Sequence, residues 1–210
     1  MIRILIADDH VLFREGLKQI LAKHKELRVI DEAGSGNEAM QKILHSDCDV
    51  IILDISMPGR SGLDILAEIR KVKPDLPVLI VSMHPEDQYA VRVLRAGASG
   101  YLTKESAASE LISAIHKIAS GGRYISPSVA ERLADAIERD REEAPHHALS
   151  NREFQVMRML ASGKTLKEIA EDLILSEKTI TTYRARILEK MDLRNNVELS
   201  HYAIKHDLLD

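Results

Sequence analysis

A single cysteine, Cys48, stands in 210 residues, which excludes an internal disulfide framework. Its neighbours Asp47 and Asp49 oppose the negative charge of a reactive thiolate, so Cys48 reads as an inert structural residue. No apolar run approaches the about 20 residues needed to cross a bilayer. Met1 leads straight into IRILIAD without a basic and then apolar leader, and the expectation is a cytoplasmic protein with no membrane partner. Internal repeats and low-complexity segments are absent as well. Excess positive charge is also missing: with a formal net charge of -4, any contact with nucleic acid must be local.

What is present is ordinary for a globular chain, 45% hydrophobic and 30% charged, with room for one large domain or two small ones. From residue 2 to about 120, short apolar runs alternate with amphipathic ones. The runs IRILIAD, LRVIDEA, DVIILDI, PVLIVS and GYLTK read as strands. Between and after them lie VLFREGLKQILAKH, GNEAMQKILHS, GLDILAEIRKV, EDQYAVRVLRAG and ASELISAIHKIASGG, whose apolar residues return at helical spacing. Parallel strands joined by right-handed helical crossovers make an α/β, doubly wound five-stranded sheet in three layers. Residues 126–140, SPSVAERLADAIERD, read as a connecting helix with a Ser cap and an early Pro. REEAPHHA, residues 141–148, has charge, Pro and no apolar period, and is expected to be a flexible linker. His146 and His147 within it read as linker polarity before metal ligands.

The last 62 residues look entirely helical. Ser150 to Glu153 and Thr165 to Glu168 match the S/T-x-x-E capping box, Ser176 marks a third helix start, and NVELSHYAIKHDLL is a fourth helical run. The domains are therefore expected at 1–122, a connecting segment at 123–148, and 149–210.

DVIILDISMPGRSG, residues 49–62, ends an apolar strand in a carboxylate, Asp54, and breaks into a Met-Pro-Gly turn. Asp8 and Asp9 end the first strand, Ser82 the fourth and Lys104 the fifth. With strand order 2-1-3-4-5 these ends converge on one crevice at the carboxyl edge, where open α/β sheets bind ligands. Two carboxylates about 5 Å apart repel by roughly 3 kcal/mol at an effective dielectric near 20, so three of them call for a cation. All-oxygen ligation suits Mg²⁺, which binds carboxylates together with phosphate oxygens. A carboxylate can attack a phosphoryl group to form an acyl phosphate, with Lys104 offsetting charge and Ser82 donating a hydrogen bond. The plainer reading is that the aspartates cap helices, Ser82 satisfies a loop and Lys104 is solvated. His10 and His84 border the crevice without metal-ligand spacing and read as loop residues.

ADDH at 7–10, DISMPG, SMHPED at 82–87 and AGASGYLTKES at 96–106 closely resemble the receiver domain of bacterial response regulators. The resemblance implies that Asp54 accepts phosphate from a sensor histidine kinase. It implies that Asp8, Asp9, Asp54 and the Ser56 carbonyl hold Mg²⁺, and that Ser82 and Lys104 contact the phosphoryl group. Ser82 and Tyr101 would form a switch pair, Tyr101 turning inward as Ser82 moves toward the phosphoryl oxygens. Glu105 follows Lys104 where many receivers have Pro. Haloacid dehalogenase-like phosphatases also use a strand-end Asp, but they need a second Asp where this chain has Ser56, which argues against rapid turnover.

In KEIAEDLILSEKTITTYRARILEKM two helices flank the short turn LILS, as in a helix-turn-helix. On the second helix Ile180, Tyr183, Ile187 and Met191 form an apolar stripe, and Lys178, Thr181, Thr182 and Ala185 lie opposite. Thr and Ala can meet thymine methyls, Thr can also hydrogen-bond a base edge, and Lys164, Lys167, Lys178, Arg184 and Arg186 can hold phosphates. A solvated face is the bland alternative, since residues 149–210 hold ten basic and ten acidic residues. LSNREFQVMRMLASGKTLKEIAEDLILSEKTITTYRARILEKMDLRNN resembles the LuxR-type helix-turn-helix, giving with the receiver the order of the NarL/FixJ subfamily. That resemblance implies a recognition helix at about 177–191, base contact by Thr181 and Thr182, and dimer contact by residues 196–208. Thr181 and Tyr183 stand where lysine and histidine are common. The expectation is a transcription regulator, not an enzyme beyond slow autodephosphorylation, that dimerises on a pseudo-palindromic duplex when phosphorylated. The alternative is a phospho-dependent module whose helical domain grips a protein instead of DNA.

Overall fold

The computed structural model describes residues 1–210 apart from 58, 59, 107, 128, 132–143, 207 and 210. The chain divides into two compact units, Met1–Ala136 and Ile137–Asp210.

In the first unit, strands β1 (Ile2–Ala7), β2 (Leu27–Ala33), β3 (Val50–Leu53), β4 (Val78–Ser82) and β5 (Gly100–Thr103) alternate with five helices. These are α1 (Val11–Leu21), α2 (Gly36–His45), α3 (Gly62–Val72), α4 (Glu86–Arg95) and α5 (Ala108–Ala119). The strand order is β2-β1-β3-β4-β5, and every pairing is parallel. Continuous apolar sequence explains the central strands: every residue of β3 and β4 is buried, as a sheet covered on both faces requires. The edge strand β2 instead mixes exposed Arg28 with buried Leu27 and Ala33. Alternate residues such as Ile6, Ile52 and Val81 pack with Leu17 and Leu21 of α1 and Ile115 of α5. Leu5, Ile51, Leu53 and Ile80 are buried on the opposite side of the pleat.

The loops at the sheet's amino edge are tied by two cations. The Arg70 guanidinium donates to the carbonyls of Gly97 at 2.8 Å, Pro74 at 2.9 Å and Leu76 at 2.7 Å. Lys73 Nζ donates to Ser46 O at 2.7 Å. After β5, Tyr124 bridges Gly100, and the Val129 amide donates to Ser126 Oγ, where the expected connecting helix begins. Most of that helix, residues 132–140, lies outside the described residues, as do residues 141–143 of the expected linker and Pro58 and Gly59 of the Met-Pro-Gly turn.

The second unit is helical: α6 (Asn151–Ala161), α7 (Leu166–Leu173), α8 (Glu177–Lys190) and α9 (Asn196–Lys205). Both capping boxes form, Ser150 with Glu153 and Thr165 with Glu168, and Ser176 Oγ accepts the Thr179 amide to start α8. Asn195 starts α9 by accepting the amides of Val197 and Glu198. Between α7 and α8, Ile174 takes the left-handed conformation, φ 51° and ψ 51°, with its side chain exposed. One expectation is corrected: Pro145–Ala148 is not aperiodic linker but a 3-10 helix. Its His146 Nδ1 lies 2.8 Å from the Tyr202 hydroxyl and its ring meets those of Tyr202 and His206. A partner about 56 positions away, invisible to local periodicity, orders the segment.

Candidate functional site

Each strand of the first unit delivers its last residues to the carboxyl edge, so the converging groups follow from topology. Asp54, directly after β3, is 2% exposed, and Asp8, directly after β1, is equally buried. Ligand atoms of Asp8, Asp9, His10 and Asp54 all lie within 4.8 Å of one another. Lys104 reaches in from beyond β5, its Nζ 2.7 Å from Asp8 Oδ2 and 2.9 Å from Asp54 Oδ2. The same ammonium lies 4.7 Å from the Phe13 ring centroid. Burial alone would lower the Lys104 pKa, but the Asp54 and Asp8 carboxylates outweigh it and hold it above the usual range. One cation therefore neutralises part of an acidic pocket that contains three carboxylates. The close packing is helped by Gly62, since a Cβ there would stand 2.0 Å from the Asp54 carbonyl oxygen.

The plain capping role and the pocket role coexist. Asp8 Oδ1 accepts the His10 amide at 2.8 Å while Oδ2 takes Lys104. Asp54 Oδ1 accepts the Ser56 amide at 3.2 Å. Asp9 differs: its Oδ1 is buried and accepts no hydrogen bond, although His10 Nδ1 stands 2.9 Å away without the alignment of one. A buried carboxylate oxygen with an unused lone pair, beside two more carboxylates, is the donor set that a hard divalent cation fits.

Beside the acids, Ser82 is fully buried and its Oγ accepts the His84 amide at 3.2 Å. Tyr101 is also buried, and its hydroxyl donates to the His84 carbonyl at 2.7 Å. Burial pushes the Tyr101 phenol well above its ordinary pKa, against the lowering effect of a hydrogen bond with Ser82. His84 Nε2 lies 3.0 Å from Ser56 Oγ, and its ring stacks on Tyr89 at 4.6 Å between centroids.

The structure thus brings together Asp8, Asp9, Asp54, Ser56, Ser82, Tyr101 and Lys104. Two residues read in the sequence as loop residues bordering the crevice, His10 and His84, have closer roles, and a third, Arg14, was missed. His84 links Ser56 to Tyr101 and His10 joins the acids, contacts that a search for His-to-His spacing does not detect. Arg14 donates to the Asp8 carbonyl at 2.6 Å and to Glu32 at 3.0 Å. A basic residue one turn into α1, on its inward side, was the available signal.

In the second unit, α8 buries Ile180, Ile187 and Met191, while Tyr183 of the expected stripe is only half-buried. Lys178, Thr181, Thr182, Ala185 and Arg186 are exposed on the other side. Arg184 is half-buried and donates to Asn196 Oδ1 at 2.7 Å, which places it at the margin of that face. Lys164 pairs with Asp172 at 2.6 Å and Lys167 with Glu171 at 3.9 Å, so both lysines carry a neighbouring acid. Such exposed pairs are weak. Among the described residues no helix is long and apolar enough to cross a membrane.

Comparison with known proteins matches residues 4–116 to the response regulator receiver domain. Residues 147–203 match the bacterial regulatory proteins of the luxR family. Response regulator UvrY of Escherichia coli K12 is 39% identical over 209 residues, covering 99% of this chain and 96% of UvrY. Response regulator GacA of Pseudomonas aeruginosa is 36% identical over 211 residues, covering 100% of this chain and 99% of GacA. Among solved structures, the two-component response regulator RcsB in complex with DNA is similar with a TM-score of 0.61 and 26% identity, covering 96% of each chain.

Proposed function

Because the chain belongs to the response regulators, joining a receiver domain to a DNA-binding domain of the luxR family, we propose that Asp54 is the phosphate acceptor through which a sensor histidine kinase governs its control of transcription. The observation that carries this is the burial of Asp54 within 4.8 Å of two other aspartates, with Lys104 Nζ 2.9 Å from its Oδ2.

An Asp54 oxygen forms the new bond to phosphorus while the bond from phosphorus to the kinase histidine breaks. The electron pair and a proton go to the leaving imidazole. Asp8, Asp9, Asp54 and the Ser56 carbonyl hold Mg²⁺, which when bound offsets the negative charge of the transferred group. Lys104 follows that charge from the carboxylates to a phosphoryl oxygen, and the Ser82 hydroxyl donates to another. Movement of Ser82 favours the buried position of Tyr101, biasing the surface between α4 and β5. Hydrolysis of the acyl phosphate is a slow autodephosphorylation, and Ser56 and His84, which border the path of attacking water, tune its lifetime.

The receiver occupies residues 1–122 and the DNA-binding domain 149–210, with the 3-10 helix Pro145–Ala148 held at the start of the latter through His146. α8 is the recognition helix: Thr181, Thr182 and Ala185 face base edges, and Lys164, Lys167, Lys178, Arg184 and Arg186 hold phosphates at the centre and margins of that face. Phosphorylation shifts the chain toward homodimers, with α9 at the contact, on a pseudo-palindromic duplex in the cytoplasm.

The test is the DNA affinity of the full chain with and without Mg²⁺ and beryllofluoride, a phosphoryl mimic, by fluorescence anisotropy. Wild type gains affinity with the mimic and Asp54→Asn gains none; an equal gain in both would sink the assignment.

A further inference from the structure

The face of α8 opposite its buried stripe carries two threonines whose hydroxyl protons are already committed. Thr181 Oγ1 lies 2.9 Å from the Glu177 carbonyl oxygen and Thr182 Oγ1 3.0 Å from that of Lys178. A carbonyl oxygen has no proton to give, so each hydroxyl is the donor, bonding back to its own helix one turn earlier. Neither hydroxyl proton remains for guanine O6 or N7, adenine N7 or thymine O4, the acceptors that line the major groove. Each side chain still presents its methyl group, beside an oxygen that can only accept, and only from adenine N6 or cytosine N4. Both residues are exposed, and exposed Ala185 lies one turn further along the same face and adds a third methyl. Lys178 and Arg186, both exposed, flank this patch with charge.

Resting on the assignment of α8 as the recognition helix, we infer that Thr181, Thr182 and Ala185 read DNA through their methyl groups. The ligand they select is a half-site whose major groove displays thymine C5-methyl groups. Donation by the threonine hydroxyls to base edges would require each to break its bond to the helix carbonyl, and the remaining alternative, acceptance from adenine N6 or cytosine N4, is separated by the valine and serine variants. Methyl readout requires no such rearrangement and gains the burial of apolar surface on both sides.

The experiment takes the full-length chain with Mg²⁺ and beryllofluoride, selects its preferred duplex from a randomised pool, and replaces each thymine of a half-site in turn by deoxyuridine. That change removes the C5 methyl and leaves base pairing intact. At one or more positions, affinity falls by about fourfold, the value expected for one buried methyl-sized group. The thymine-to-uracil ratio is then measured for Thr181 and Thr182 variants. Valine keeps the methyl without the hydroxyl and retains the ratio, whereas serine keeps the hydroxyl without the methyl and brings it toward one. A wild-type ratio of one at every thymine overturns methyl readout while leaving DNA recognition by α8 intact. Serine variants that keep the ratio while valine variants lose it overturn it equally. Failure to select any duplex would overturn the DNA-binding role of α8 itself, and methyl readout with it.

Discussion

Asp9→Asn separates the stability of the receiver from its function. Asp9 shares its pocket with Asp8 and Asp54, all within 4.8 Å, and its buried Oδ1 accepts no hydrogen bond. At that distance and an effective dielectric of 20, two like charges repel by about 3.5 kcal/mol. Lys104 cancels one of the two neighbouring charges, leaving Asp9 opposed by one, and the partial exposure of its side chain screens the remainder. The expected net gain on neutralising Asp9 is therefore about 1–2 kcal/mol, or a melting temperature several degrees higher. Added Mg²⁺ reverses the order, because a cation at 100 times its Kd stabilises wild type by about 2.7 kcal/mol. Calorimetric melts of both proteins in chelator and in Mg²⁺ make the comparison. A variant less stable than wild type in chelator, or one stabilised as strongly by Mg²⁺, would refute the reasoning.

Lys178→Ala is expected to lower the slope of log affinity against log salt by about one, uniformly across DNA sequences, as titrations between low and moderate salt will show. Glu153 is buried at the start of α6; burial pulls its carboxyl up, but Lys190 Nζ at 2.6 Å and the Ser150 amide at 2.7 Å outweigh it and hold the pKa below the usual range. Its contribution is therefore present above about pH 4.3 and is lost as pH falls through the lower folded value. Glu153→Gln should destabilise the second unit by about 2 kcal/mol at pH 7, a gap in hydrogen-exchange protection that closes as the pH drops below about 4. Ile174→Asn should stabilise that unit by about 1 kcal/mol, seen as a higher urea midpoint, because a left-handed backbone costs a branched residue about 1–2 kcal/mol and the side chain is 65% exposed.

The strands and helix starts were legible because they depend on local chemistry: the buried runs VIIL and VLIVS, and the Ser150, Thr165 and Ser176 caps, carry their own signal. The convergence of Asp8, Asp9, Asp54, Ser82 and Lys104 followed from topology. How they meet was not legible. That Lys104 bridges two carboxylates, or that His84 joins Ser56 to Tyr101, depends on rotamers chosen by contacts across 28 to 96 positions. Thr181 and Thr182 were readable as exposed, but sequence left both a methyl and a hydroxyl available, and only the back-bonds to Glu177 and Lys178 show that the hydroxyl protons are already spent. His146 shows the limit most plainly, since charge and Pro suggested slack chain where an aromatic cluster orders it.

The two rims of the sheet differ in what chemistry they leave unspent. At the amino rim, Arg70 and Lys73 consume the loop carbonyls of Gly97, Pro74, Leu76 and Ser46, so that rim is stitched to itself. The turn at 22–26 is fastened separately: the Ile2 amide donates to the Glu26 carbonyl at 2.7 Å, and His116 Nε2 lies 3.4 Å from the Glu26 carboxylate. A reporter that travels with the receiver without loosening that rim therefore belongs on an exposed side chain of the turn, such as Lys25, and not on an inserted segment.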